Sequence, residues 1–253
     1  MKRVVLLAVL VLAAAAHTVS VAQVSSPYLD ITSLGYTTYT VGQNGSFLVT
    51  TEPTAMYAFP GPPVLAITAN GPPPGVSFTD NGDGTAAIAG TPIFSGDSPF
   101  VISAYAPGPA PGMKGVLLVQ QPFIASVNPG QTKTELATLC ERTFTEGQPF
   151  TYYANISPVG TGAIGVGTMT YTQDPGSNVL CAIDISVGNN CTTTALATTG
   201  ADTQDNYTLG ASYSGNTSWL PSTALPIGVT VLSAADVVFR NSLEFAPDGC
   251  PAE

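Results

Sequence analysis

The chain has 253 residues, of which 44% are apolar and only 9% charged, and six Lys and Arg against 16 Asp and Glu give it a formal charge of −10. So few cations exclude a nucleic-acid footprint, which needs clustered Lys and Arg to replace counterions, and they disfavour an anionic membrane surface. Ten Tyr, ten Phe and the high apolar fraction argue against disorder, so a chain this rich in Gly and Pro is expected to be ordered β-structure with many short strands and turns.

Lys2 and Arg3 precede an apolar run from Val4 to Ala16, and Ser20-Val21-Ala22 supplies the small residues of a cleavage site. Residues 1–22 are therefore expected to be a signal peptide. Gln23 follows rather than Cys, so no lipoprotein anchor is expected. No later stretch has the length of an apolar membrane span, so the mature chain is expected to carry no transmembrane anchor and to be secreted, periplasmic or associated with the cell surface. Cleavage would remove the single histidine, His17, together with Lys2 and Arg3, leaving four cations against 16 acids and a formal charge of −12.

Strand patterns then follow in order. "SFLVTT" (46–51), "VLAITA" (64–69), "GVSFTD" (75–80), "TAAIAG" (85–90), "FVISAYA" (100–106) and "GVLLVQQ" (115–121) form a first set. "FTYYANI" (150–156), "GTMTYTQ" (167–173), "LCAIDIS" (180–186), "YTLGASYSG" (207–215) and "PIGVTVLS" (226–233) form a second. A 3.6-residue period nowhere persists for three turns. Short strands at about ten-residue spacing indicate β-sandwiches, and this length suits two of them. The expected division is a first sandwich over 23–123, a second over 124–233, and a C-terminal tail over 234–253. The join falls near the Pro-containing "QQPFIASVNPG".

Within the first set, "FTDNGDGTAAIAGTP" (78–92) poses a choice between a calcium loop and a tight turn. An EF-hand-type loop starting at Asp80 needs oxygen ligands at alternating positions, but those are Gly82 and Gly84. A hairpin fits better. Val76 and Phe78 lead in, Ala86 and Ile88 lead out, and Asn81-Gly82 and Asp83-Gly84 tolerate positive φ. Asp80 and Asp83 are then expected to accept hydrogen bonds from turn N–H groups.

"YTVGQNGSFLVTTEP" (39–53) followed by "LAITANGPPPGVSFTDNGDGTAAIAGTP" (65–92) resembles the Ig-like domains of exported bacterial proteins, over roughly residues 39–121. The resemblance implies an Ig- or cadherin-like sandwich in which the Asp/Gly loop joins two strands; "GMKGVLLVQQ" departs somewhat from that family's last strand. "YTLGASYSGNTSWLPSTALPIGVTVL" (207–232) is similar to the last two strands of a second bacterial Ig-like repeat family, over about 130–233. Both resemblances imply non-catalytic modules. The tail "DVVFRNSLEFAPDGC" resembles a short C-terminal segment of exported Gram-negative proteins, with an edge strand or a sorting signal as its alternatives.

Four cysteines remain after export: Cys140, Cys181, Cys191 and Cys250. An even number in an exported chain indicates two disulfides, with three possible connectivities. Cys181 and Cys191 flank a short turn-rich segment and are expected to pair, and Cys140 with Cys250 follows by elimination. The second resemblance also places a paired Cys at Cys181 and Cys191. A zinc site would need C-x-x-C spacing or histidines, and neither is present.

Two aromatic residues are candidate sugar platforms. Trp219, in "SGNTSWLPS", either caps the end of the second core or stacks on a pyranose, and Tyr57 is a loop tyrosine of the same kind. Tyr207, Leu209, Ala211 and Tyr213 share one strand face and are expected in the core, while "DNY" (205–207) fits a tyrosine corner. Without histidine no Ser-His-Asp or Cys-His arrangement can form, and the acids sit mostly in turns, so no enzyme is expected.

The sequence thus predicts an all-β protein of tandem immunoglobulin-like β-sandwiches after a signal peptide. Its expected role is a structural, adhesion or cell-envelope interaction module, with an unknown protein or a cell-surface polysaccharide as partner and no cofactor. The alternatives are a carbohydrate-binding module using Trp219 and Tyr57, or a calcium-rigidified cadherin-like adhesin using Asp80, Asp83 and Asp97.

Overall fold

A computed structural model describes residues 26–233 except 111, 138–141, 176–177, 195 and 200–203. The expected signal peptide, the tail, Cys140 and Cys250 lie outside the described residues. The described chain is all-β, and its strands form tandem immunoglobulin-like β-sandwiches.

The first sandwich runs through β1 (Leu29–Ile31), β2 (Tyr36–Thr40), β3 (Gly45–Pro53), β4 (Val64–Ala69), β5 (Val76–Asp80), β6 (Thr85–Gly90), β7 (Gly96–Pro107) and β8 (Lys114–Asn128). One sheet has the order β1-β3-β6-β5 and the other β2-β8-β7-β4. The period of two places Val49, Ala86 and Ile88 inward from the first sheet, against Phe100, Ile102, Ala104, Phe123 and Ala125 from the second. Phe123 joins them, its ring 5.2 Å from Phe47 and 5.0 Å from Phe100.

The second sandwich runs through β9 (Thr132–Leu136), β10 (Thr143–Thr145), β11 (Phe150–Pro158), β12 (Thr168–Asp174), β13 (Asn178–Asp184), β14 (Asn190–Thr193), β15 (Gln204–Tyr213), β16 (Ser222–Thr223) and β17 (Ile227–Leu232). Its larger sheet has the order β10-β17-β15-β12-β13, with β16 on β15, and faces the sheet β14-β11-β9. Leu209, Ala211 and Tyr213 are buried as their shared face predicts, and Tyr207 is half-buried. The Tyr207 hydroxyl donates to the carbonyl of Ala197, a corner bond that ties β15 to the chain before it.

In both sandwiches the first strand of one sheet lies parallel to the last strand. β2 pairs with β8, from Tyr36 opposite Ile124 to Thr40 opposite Asn128, and β10 pairs with β17.

β8 continues unbroken through Pro122 to Asn128, so the join is the short stretch before β9 begins at Thr132. A proline is tolerated in this strand for a specific reason. The Ile124 amide donates to Gly35 on the β2 side, so by the period of two the Pro122 nitrogen faces that side as well. β2 begins only opposite Ile124, and no ladder bond is lost.

Candidate functional site

Each end of the first sandwich gathers residues singled out by the sequence. β3 starts beside the second sandwich and runs nine residues to Pro53, carrying the chain about 27 Å to the opposite, distal pole. There the β3–β4 loop, the β5–β6 hairpin and the β7–β8 hairpin come together. The proximal pole holds the β2–β3 turn, the β6–β7 loop and the end of β8, all facing the second sandwich.

At the distal pole the hairpin is built as expected. Phe78 pairs with Ile88 and Asp80 with Ala86, and Gly82 and Gly84 take φ values of 77° and 90°. These values place both in the left-handed region that favours glycine. The Asp80 carboxylate accepts the Gly82 amide at 3.1 Å through one oxygen and the Leu65 amide at 3.1 Å through the other, tying the turn to β4. Asp83 accepts the Thr85 hydroxyl at 2.6 Å and the Thr85 amide at 2.9 Å, and these bonds hold its carboxyl below the usual Asp range. Both acids therefore serve the turn.

The three acids of the calcium alternative do not stand together. Asp97 stands at the start of β7, at the proximal end, opposite Ser126, whose hydroxyl donates to it at 2.7 Å. It lies at the other end of the sandwich from Asp80 and Asp83 and cannot share an ion with them. Among the described residues no group of three His, Cys, Asp or Glu side chains converges.

Tyr57 also lies at the distal pole, half-buried, with its hydroxyl donating to the Gly61 carbonyl at 2.8 Å and its ring edge-on to Phe59 at 5.3 Å. Burial raises its phenol pKa above the ordinary value. Its ring therefore belongs to a loop cluster and does not stand as an isolated flat platform.

Trp219 is at the other end, in the join between the sandwiches. It is only 3% exposed, so the sugar platform, which needs an open ring face, is corrected to a buried wedge. Its indole N–H donates to the Ala163 carbonyl at 3.2 Å. Three glycines from three parts of the chain meet the ring. A Cβ on Gly130 would fall 2.6 Å from it, one on Gly162 2.9 Å and one on Gly42 3.0 Å. The ring thus fills space that only glycines leave open, between the first sandwich (Gly42), the join (Gly130) and the second sandwich (Gly162).

Backbone bonds clamp the same place. Gly130 donates to Ser218 at 2.9 Å and accepts from Leu220 at 2.8 Å, forming a bridge around Trp219. Across the join, the Thr161 amide donates to the Gly42 carbonyl at 2.9 Å and the Gln43 side-chain Nε2 donates to the Val159 carbonyl. The Ser95 hydroxyl donates to Thr217 at 2.6 Å, and its amide to the Ser218 hydroxyl at 3.3 Å. The order of strands did not reveal this site, because its members are brought together only by the packing of one sandwich on the other.

Cys181 and Cys191 form a disulfide with Cα atoms 5.9 Å apart. It joins β13 to β14, the edge strands of the two sheets of the second sandwich, and so closes that side. Beside it a shallow cavity of about 230 Å³ is lined by Asn155, Ile156, Ile164, Ile185, Gly188 and Asn189. No helix among the described residues is long and apolar enough to cross a membrane.

No protein-family model and no curated protein matches the chain. Several solved structures are similar in fold. The fibronectin(III)-like modules of CbhA from Clostridium thermocellum share 13% identity over 86% of this chain and 97% of theirs, with a TM-score of 0.29. The titin domains Z1Z2 in complex with telethonin share 12% over 83% of this chain and 98% of theirs, with a TM-score of 0.38. The ICAM-5 D1–D4 ectodomain fragment shares 16% over 81% of this chain and 51% of its own, with a TM-score of 0.37. At these scores the likeness concerns fold and carries no function with it.

Proposed function

We propose that this chain is a non-catalytic, exported bacterial Ig-like protein that works as a structural and adhesion module: a stiff two-domain spacer that carries its distal loops away from its point of attachment. The observation that supports this reading is the join. A flexible tether between two domains would be a solvated Gly/Ser or Pro-rich linker. Here the linker is three residues between Asn128 and Thr132, a tryptophan is buried in it, and hydrogen bonds cross it from three loops. The disulfide between β13 and β14 suits an oxidising compartment outside the cytoplasm.

Two measurements test the proposal together. Small-angle scattering should give one elongated shape for the native chain and a broader distribution for Trp219→Ala. Cosedimentation with cell envelopes and insoluble polysaccharides, with and without a calcium chelator, tests the attachment role. A native chain that scatters as two freely jointed bodies overturns the spacer. Pelleting that disappears with chelator replaces it with a calcium-dependent adhesin.

A further inference from the structure

We propose that the distal pole of the first sandwich is a docking surface for a basic polypeptide, taking Lys or Arg side chains between an aromatic cluster and two carboxylates; this rests on the reading of the chain as a module that presents that pole. The cluster is Tyr28, Phe59 and Tyr57. Tyr28 and Phe59 meet edge to face at 6.2 Å, and Phe59 meets Tyr57 in the same way at 5.3 Å. Tyr28 is 43% exposed and the neighbouring Met56 65%. Exposed Tyr and Met side by side are the composition of interface centres.

The loop is held ready rather than loose. Thr54 donates its amide to the Tyr28 carbonyl at 3.1 Å and its hydroxyl to the Pro27 carbonyl, and it accepts the Tyr57 amide at 3.0 Å. Ordering this surface therefore costs little on binding.

The charge identifies the occupant. Asp30, two residues from Tyr28 and on the same face of β1, lies directly opposite Glu52 of β3. Like charges directly opposite on a sheet repel, and neither carboxylate forms an ion pair or hydrogen bond among the described residues. Two of the three described cations lie elsewhere. Lys133 pairs with Glu135, and Arg142 precedes β10 in the second sandwich. Lys114, on the other sheet at this same pole, lies over the Tyr105 ring at 5.1 Å, which is the contact proposed here for an incoming ammonium. An aromatic surface beside two unneutralised carboxylates complements a cationic side chain and repels an acidic one.

The experiment uses the full chain and a fluorescein-labelled Lys-Gly repeat peptide, with a Gln-Gly repeat as control, by fluorescence anisotropy at low and physiological salt. The Lys peptide should bind and the Gln peptide should not. Affinity should fall about tenfold in Asp30→Asn/Glu52→Gln and about threefold or more in Tyr28→Ala. It should be retained in Tyr28→Phe, and in Asp174→Asn/Glu135→Gln, which removes two charges from the second sandwich. The near-isosteric acid pair and Tyr28→Phe keep the test valid should Tyr28→Ala unfold. Absence of binding, equal binding of the Gln peptide, or an equal loss in the Asp174/Glu135 control would overturn the proposal; the last would reduce it to net charge. A chain that fails here while keeping a single elongated shape in scattering sinks this inference alone and leaves the spacer standing.

Discussion

The rings of Tyr152 on β11 and Tyr171 on β12 meet edge to face at 4.9 Å in the core of the second sandwich, yet only one of their two hydroxyls is engaged. Tyr171 accepts the Ala154 amide at 3.1 Å and donates to the Asn189 carbonyl, pinning the turn before β14. The Tyr152 hydroxyl is buried without a hydrogen bond. Substituting each by Phe should therefore give opposite results. Tyr171→Phe should cost about 1 kcal/mol by losing the hydroxyl's two bonds, the Ala154 amide keeping its second bond to the Asn189 carbonyl, whereas Tyr152→Phe should be neutral or stabilise by up to about 1 kcal/mol. Urea unfolding of the two variants side by side checks this.

Trp219 is the single tryptophan of the chain and lies in the join. Its fluorescence should be blue-shifted and shielded from iodide in the native state, and should not respond to soluble sugars. Trp219→Ala should cost about 3–5 kcal/mol, as for other large buried aromatics. Gly130→Ala should also destabilise, because its Cβ would lie 2.6 Å from both the indole and the Val41 carbonyl. Thermal melts of the two variants read this directly.

The fold should be lost on the alkaline side. Burial raises the phenol pKa of Tyr152, and also those of Tyr39 and Tyr171, above their ordinary value of 10.0. Between that value and the raised native one, the unfolded chain releases protons that the native chain keeps, so stability falls as pH climbs above about 10. Asp83 and Asp184 act in the other direction. Hydrogen bonds from Thr85 and from Ser186 lower their pKa values, so their contribution is present above the ordinary 3.8 and is lost as pH falls below it. Both are fully exposed and that limb should be shallow. Melting temperature against pH should show the steep alkaline edge.

Asp83→Ala should lower the melting temperature by a few degrees through loss of its bonds to Thr85. The drop should be the same with and without millimolar calcium. A rise with calcium in the native chain that is lost in this variant would restore an ion-binding loop.

Reducing the Cys181–Cys191 disulfide, or replacing both residues by Ser, should cost roughly 2–3 kcal/mol, as expected for so short a loop. The loss should appear in the second sandwich, where the bond joins two sheet edges.

Much of the fold was legible because its strands follow the period of two between strong turn signals. Val64–Ala69 and Thr85–Gly90 begin and end where the sequence places them. The strands it did not mark are short or polar. "YTTYT" of β2 and "TKTEL" of β9 carry few apolar residues, because each lies at an edge and buries little. The Asp/Gly hairpin was legible for a local reason, since the bonds within its turn span only two to four residues. The setting of Trp219 was not, because Gly42, Gly130 and Gly162 mean nothing together until the sandwiches are packed. Asp97 shows the same limit in reverse: it is near Asp80 and Asp83 in sequence and a whole strand away in space.

The parallel pairing of β2 with β8 has a mechanical consequence. The chain enters the first sandwich through β1 at the distal pole, β2 then runs beside the proximal end of β8, and β8 is the strand that leaves. Tension between the two ends would pull β2 and β8 in opposite directions along their length. The bonds from Tyr36–Ile124 to Thr40–Asn128 would then carry the load in shear, all at once, instead of opening one after another like a zipper. The short β10–β17 pair repeats this arrangement next door, so a molecule stretched between two surfaces would be held in each sandwich by a parallel pair loaded in shear.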